Sequence, residues 1–215
     1  FVGNNWDGTV DVIDGDNYEI LGRINAIPDY EERMEEIKDD FWRYTIFLGI
    51  RQLIGEGNDQ FVDDMYSTND GELLIASRPS FGDVVALDLE TGAVVWRFEV
   101  DGVRSDHMAL SPDGMEVAVS ASTGSVVHLL NVYTGEEVGR FPTGNSPHEN
   151  LYSDDGKYIY HSSIGYVFMP FDGKVLRDST RGVRKFIVYD RETQEIVKDI
   201  DMKTKLEEAG FITLH

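Results

Sequence analysis

With no cysteine in the chain, its acid–base and metal chemistry rests on five histidines and forty acidic side chains. Two of the histidines fall into a pattern. Three Asp-Gly pairs end in Gly71, Gly114 and Gly156. Seven residues before each glycine stand Asp64, His107 and Glu149, and eight before stand Asp63, Asp106 and His148. Residues at equal offsets in a repeat hold equal places in each copy, so these six should share one level of the molecule. Histidine with carboxylate suits Zn, Mn, Fe or Cu, and carboxylates alone suit Ca. The expected cofactor is a divalent metal ion held by His107, His148 and Glu149. His215, at the end of the chain, could join them if it begins a further copy. The competing reading is that these polar groups only bind water. His128, inside Val-Val-His-Leu-Leu, reads as a satisfied core histidine. His161 stands where other copies have Ala76 and Val119 and could approach the same level. No phosphate-binding glycine loop, nucleophile elbow or zinc-protease helix motif is present. Asp7-Gly8-Thr9 and Asp14-Gly15-Asp16-Asn17 read as turns rather than calcium loops.

A repeat is what could bring residues 63 to 149 to one place. The glycines of Asn69-Asp70-Gly71, Pro112-Asp113-Gly114 and Asp154-Asp155-Gly156 lie 43 and 42 residues apart. A second marker follows each of them. It is Leu87-Asp88-Leu89-Glu90-Thr91-Gly92, then Leu130-Asn131-Val132-Tyr133-Thr134-Gly135, then Val188-Tyr189-Asp190-Arg191-Glu192-Thr193-Gln194, with an earlier copy at Val12-Ile13-Asp14-Gly15-Asp16-Asn17. Each unit reads as four antiparallel strands, in the second unit Gln60–Ser67, Glu72–Ser77, Val84–Leu89 and Ala93–Val100. Gly71, Gly114 and Gly156 are structural, supplying the tight turn between the first two strands. Four short strands in each 40-odd residues match a β-propeller blade.

The expected fold is therefore all-β: a β-propeller with about four blades visible, at 1–29, 60–101, 102–144 and 145–202. Residues 1–215 would then be a partial propeller, part of a seven- or eight-bladed ring whose remainder is missing from the chain. The six aligned polar residues would sit at the mouth of its channel. Two stretches break the period. Residues 29–59, between the first two blades, read as a helical insertion that Asp29 could cap. Phe41, Trp42, Ile46, Phe47, Ile50 and Leu53 form its apolar side, with Trp42 as its anchor. Residues 165–182 read as an inserted loop carrying Tyr166, Phe168, Met169, Phe171, Lys174, Arg177 and Arg181. Insertions of this kind are usually functional loops or partner contacts.

The formal net charge of −21 argues against nucleic acid and anionic membrane as partners. Disulfides, thiolate catalysis and cysteine-ligated metals are excluded. No stretch approaches the roughly 18 apolar residues of a membrane span. The chain begins at Phe1 rather than Met, so its true N-terminus, with any removed leader, is expected to lie before it.

Phe81-Gly82-Asp83-Val84-Val85-Ala86-Leu87-Asp88-Leu89-Glu90-Thr91-Gly92-Ala93-Val94-Val95-Trp96 resembles the tryptophan-bearing repeat of quinoprotein dehydrogenases. Leu110-Ser111-Pro112-Asp113-Gly114 through Thr134-Gly135, with Pro142-Thr143-Gly144-Asn145-Ser146-Pro147-His148, is similar to the YVTN-type propellers, a group that includes the large subunit of quinone-dependent amine dehydrogenases. The resemblance covers about 150 of the 215 residues. It implies that Trp96 docks one blade on the next. A tryptophan in one repeat only departs from the quinoprotein pattern and argues against a full quinone site. The expected function is a secreted or periplasmic binding or scaffold protein. Its channel mouth and inserted loops would take a protein partner or a small-molecule ligand. The alternatives are a metal-dependent oxidoreductase or lyase acting at the His/Asp/Glu level, or the large subunit of a quinone-dependent amine dehydrogenase.

Overall fold

The computed structural model describes residues 1–53, 55–167 and 180–211. Its strands form four separate antiparallel sheets, each running in chain order. The first holds β1 (Val2–Asn4), β2 (Thr9–Ile13) and β3 (Ile20–Asn25). The second holds β4 (Met65–Ser67), β5 (Leu73–Arg78), β6 (Asp83–Asp88) and β7 (Val94–Glu99). The third holds β8 (Ser105–Leu110), β9 (Glu116–Ala121), β10 (Val126–Asn131) and β11 (Glu137–Pro142). The fourth holds β12 (Pro147–Tyr152), β13 (Tyr158–Ser163), β14 (Lys185–Asp190) and β15 (Glu195–Asp201). Helices α1 (Tyr30–Asp39) and α2 (Phe41–Leu53) separate the first two sheets, and α3 (Met202–Glu208) follows the last.

The expected propeller is overturned at this level. The chain is all-β with helical additions, but its sheets stay separate and no ring closes among the described residues. The physical reason lies in what the repeat encodes. Asp-Gly and Thr-Gly turns with alternating apolar residues dictate a local four-stranded meander. They carry no information on how many meanders assemble or whether they close.

The turn chemistry recurs from sheet to sheet. Asp88 Oδ1 accepts from the backbone N–H groups of Glu90 and Thr91, at 3.1 and 2.7 Å. Asn131, Asp190 and Asp14 make the same pair of bonds in their own turns. The last two strands of every sheet also share one irregularity, with a register shift at Val12/Ile13, Ala86/Leu87, Leu129/Leu130 and Val188/Tyr189. A bulge at this place leaves one residue of the outer pair unpaired and bends the strand locally. The turn between the first two strands is tight. Gly71, Gly114 and Gly156 have φ of 73°, 71° and 69°, a conformation that glycine adopts without strain.

Alternation along β5 buries Leu73 and Ile75 on one face and Leu74 and Ala76 on the other. Both faces are therefore core. Leu73, Ile75, Val84, Ala86 and Trp96 pack against Met108, Val117, Val119 and Leu130 of the third sheet. Leu129, Val127 and Phe141 pack against Tyr152, Ile159 and Tyr189 of the fourth. Trp96 adds direction to the first of these contacts. Its Nε1–H donates to the Val132 carbonyl at 3.0 Å, and its ring lies on Gly135, where a Cβ would come within 2.6 Å of it. Polar contacts tie the second strand of one sheet to the first strand of the next: Ser77 Oγ–H of β5 donates to the Asp106 carbonyl of β8 at 2.9 Å, and Asn150 Nδ2–H of β12 to Ser120 Oγ of β9 at 2.9 Å.

The helices are fastened by a buried ionic network. Arg78 and Asp83, both wholly buried, pair through two bonds of 2.8 and 2.9 Å. Arg78 also holds Asp29, and Arg33 of α1 reaches Asp83 at 3.1 Å and Glu99 at 2.8 Å. Asp29 does stand at the N-cap of α1, but its side chain caps nothing, because Arg78 takes the carboxylate. Asp40 instead caps α2, accepting from the N–H groups of Trp42 and Arg43 at 2.8 and 3.0 Å. Trp42 does not anchor the insertion either: it is 72% exposed, and Met34, Ile37 and Phe47 do the anchoring against Phe61 and Phe81.

Candidate functional site

β8, the first strand of the third sheet, lies against β12, the first of the fourth, and against β5, which pairs with β4 at the start of the second. Their leading residues meet at one end, where they form the floor of a cavity of about 650 Å³. Asp63, Arg104, Asp106, His107 and His148 make up that floor. Ser122, Thr123, Ser125 and Ser146 flank it, and Ile164, Tyr166 and Val167 close one side. Helix α2 contributes Ile46, Gly49, Ile50 and Leu53 to the lining of the same cavity. Their spacing of three, four and seven residues puts them on one stripe of the helix.

The floor is dense in charge. The rings of His107 and His148 stack with centroids 4.2 Å apart and planes 27° from parallel. His107 Nδ1 lies 3.5 Å from Asp64 Oδ2 and 3.4 Å from Glu149 Oε2. Asp64 Oδ2 also accepts from the Met108 backbone N–H at 2.9 Å, which fixes that carboxylate across the two sheets. Arg104 Nη1–H donates to Gln60 Oε1 at 2.6 Å. One donor atom from each of Asp106, His107 and His148 can be chosen so that all three lie within 4.8 Å of one another.

Burial decides the protonation of two of these groups. It pushes the Asp106 carboxyl up to about 6; Arg104 pulls the other way, and the neighbouring Asp63 carboxylate adds to the rise. Burial also lowers His148, and charge on His107 lowers it further, so His148 is a neutral imidazole at neutral pH. Asp63 Oδ2 is buried and has no hydrogen-bond partner among the described residues. Two serines of the rim, Ser125 and Ser146, hold the left-handed conformation with φ of 55° and 48°. That is uncommon for a residue other than glycine and recurs at functional sites.

No family model matches the sequence, and no curated protein matches it. Among solved structures the chain is similar to the hydrazine synthase of Kuenenia stuttgartiensis, at 22% sequence identity and a TM-score of 0.51. The match covers 66% of this chain and 36% of that one, so it spans about a third of that protein. At this identity the likeness is one of fold.

All six aligned residues from the Asp-Gly count fall at this end of the sheets. They do not play equal parts. Donor atoms of Asp106, His107 and His148 come within 4.8 Å of one another. Glu149 is exposed and turns to the side of His107. His215 lies outside the described residues, as do Phe168, Met169, Phe171, Lys174 and Arg177 of the expected loop. His128 is wholly buried between Glu137 and the Asp101 backbone N–H, and His161 is buried between Asn150 and Ser163, so both are structural. Arg104 has no counterpart in the repeat: the equivalent positions hold Phe61 and Ser146. That is why counting offsets does not find it. The α2 stripe is visible as an apolar pattern, but nothing local says that it faces this floor. Among the described residues no helix is long and apolar enough to cross a membrane.

Proposed function

We propose that this chain is a binding protein that takes a small organic ligand in the cavity between α2 and the Asp106/His107/His148 floor. One observation carries the reading: an apolar helical stripe faces a small group of convergent polar side chains across a space of about 650 Å³. Ligand sites are typically concave, lined mainly by apolar side chains, with a few polar groups that orient the ligand. The wall fits a hydrocarbon or aromatic body, and the floor fits a polar head that accepts from Arg104 or donates to the carboxylates.

Gly49 provides the test. A Cβ built there meets nothing within 4 Å, and the residue is helical, so a large side chain can enter the cavity without disturbing the fold. The neutral dye Nile red should bind the protein saturably, with one dye per chain. Gly49→Trp should weaken that binding at least about tenfold, which is about 1.4 kcal/mol, while the melting midpoint is held. Equal dye binding by both proteins, or no saturable binding by the native one, would contradict the reading.

A second reading has one feature in its favour. A carboxyl held near 6 beside two imidazoles can exchange a proton at neutral pH, as a general acid or base does. An enzyme acting at the same floor would release an altered ligand. A binding protein would return its ligand unchanged, and mass spectrometry of the released material separates the two.

A further inference from the structure

We propose that Asp106, His107 and His148 hold a divalent first-row transition-metal ion, and that this ion presents open coordination positions to the cavity. The inference deepens the binding reading by naming what grips the ligand's polar head. Two imidazole nitrogens and one carboxylate oxygen are a donor set of intermediate softness. It suits Zn(II), Fe(II), Mn(II) or Co(II) better than Ca(II), which takes oxygen donors. The three donor atoms already lie within 4.8 Å of one another. Metal–ligand bonds near 2.0–2.2 Å require them to draw together by roughly 1 Å. His107 is free to make that adjustment, since its side chain is 32% exposed and no bond tighter than 3.4 Å holds its ring.

Two further observations point the same way. Asp64 and Glu149 stand at Nδ1 of His107, and Asp64 is itself fixed by the Met108 N–H. Carboxylates at the far side of a ligating imidazole set its tautomer and strengthen it as a donor. Asp63 Oδ2, buried and unpartnered among the described residues, is an acceptor waiting for a donor. Water carried by the ion supplies one. Three protein ligands leave at least one position open, and the cavity above it is walled by Ile46, Ile50 and Leu53. The ligand class is therefore an organic molecule with an oxygen or nitrogen donor at one end and an apolar body.

The experiment uses Co(II), whose visible spectrum reports protein ligation, added to the whole chain after dialysis against a chelator. One Co(II) per chain should bind, with new visible bands and shifts of the His107 and His148 imidazole signals, and Zn(II) should displace it. His107→Ala, His148→Ala and the near-isosteric Asp106→Asn should each weaken Co(II) at least about tenfold. Melting curves confirm that each variant folds. A folded protein that still takes Nile red but binds no Co(II) would overturn the metal site and leave the cavity reading intact. Co(II) binding unmoved by all three substitutions would also overturn it. Co(II) binding that the substitutions remove, in a protein that takes no dye, would support the metal and refute the organic ligand.

Discussion

Replacing Arg78 with methionine tests how the helical insertion, whose α2 lines the cavity, is held. Methionine keeps most of the buried stem, so the change removes charge rather than volume. In the native protein Arg78 gives two bonds to Asp83 and two to Asp29, and Asp83 is wholly buried. Breaking a buried pair by removing one partner generally costs about 3–5 kcal/mol, because the other charge is stranded. Here Asp83 keeps Arg33 at 3.1 Å, and Asp29 keeps Arg97 at 3.9 Å. The expected loss is therefore near the lower end, about 3 kcal/mol. Denaturant unfolding followed by circular dichroism measures it. The loss should also depend on pH. Burial raises the Asp83 carboxyl even in the native protein, against the pull of Arg78 and then Arg33. Without Arg78 the carboxyl rises further, and taking a proton relieves the stranded charge. The difference between variant and native protein should shrink as pH falls from 7 toward 4. A loss under about 1 kcal/mol, or one that stays constant with pH, would refute the view that this network fastens the insertion.

Gly114→Val should destabilise the third sheet by about 1–3 kcal/mol, because a β-branched residue resists positive φ and its Cβ would meet the Asn69 side chain at 2.2 Å; an unmoved melting midpoint would contradict this. His161 is buried and neutral with its pKa lowered to about 3, so it contributes stability that is present above pH 6.5 and lost as pH falls toward 3, at about 1.4 kcal/mol per pH unit. Asp106, raised from 3.8 to about 6, works in the opposite sense: its contribution is present below 3.8 and lost as pH rises to 6. The two slopes offset each other between about pH 4 and 6, so Asp106→Asn should make the acid-side loss of stability steeper there. Stability curves for variant and native protein that run parallel would show that Asp106 is not perturbed as described.

The sheets are legible in the sequence because their determinants are local. Asp88, Asn131 and Asp190 each close their turn with their own side chain, and the glycine of each Asp-Gly pair supplies positive φ within two residues. Equal offsets from those glycines carry the Asp64 and Glu149 carboxylates to 3.5 and 3.4 Å from His107 Nδ1. What the sequence misleads on is non-local. Closure into a ring depends on contacts between sheets, which the turns do not specify. Asp29 looks like a helix cap, but Arg78, 49 residues away, takes it. Trp42 looks like an anchor, but the buried side of α2 is the one that Phe47 marks. Asp106 is buried and groups with the two histidines, while Glu149 is exposed beside His107; that difference turns on side-chain direction at β8 and β12, which offset counting does not resolve.

The convergence of β8 and β12 on one floor can be read from the two histidines directly. With imidazole-labelled protein, a cross-peak between the ring protons of His107 and His148 is expected, since their centroids lie 4.2 Å apart. His107→Ala should also raise the pKa of His148 by removing a neighbouring positive charge. A folded protein that shows no such cross-peak, and whose His148 titrates alike with and without His107, would contradict the site.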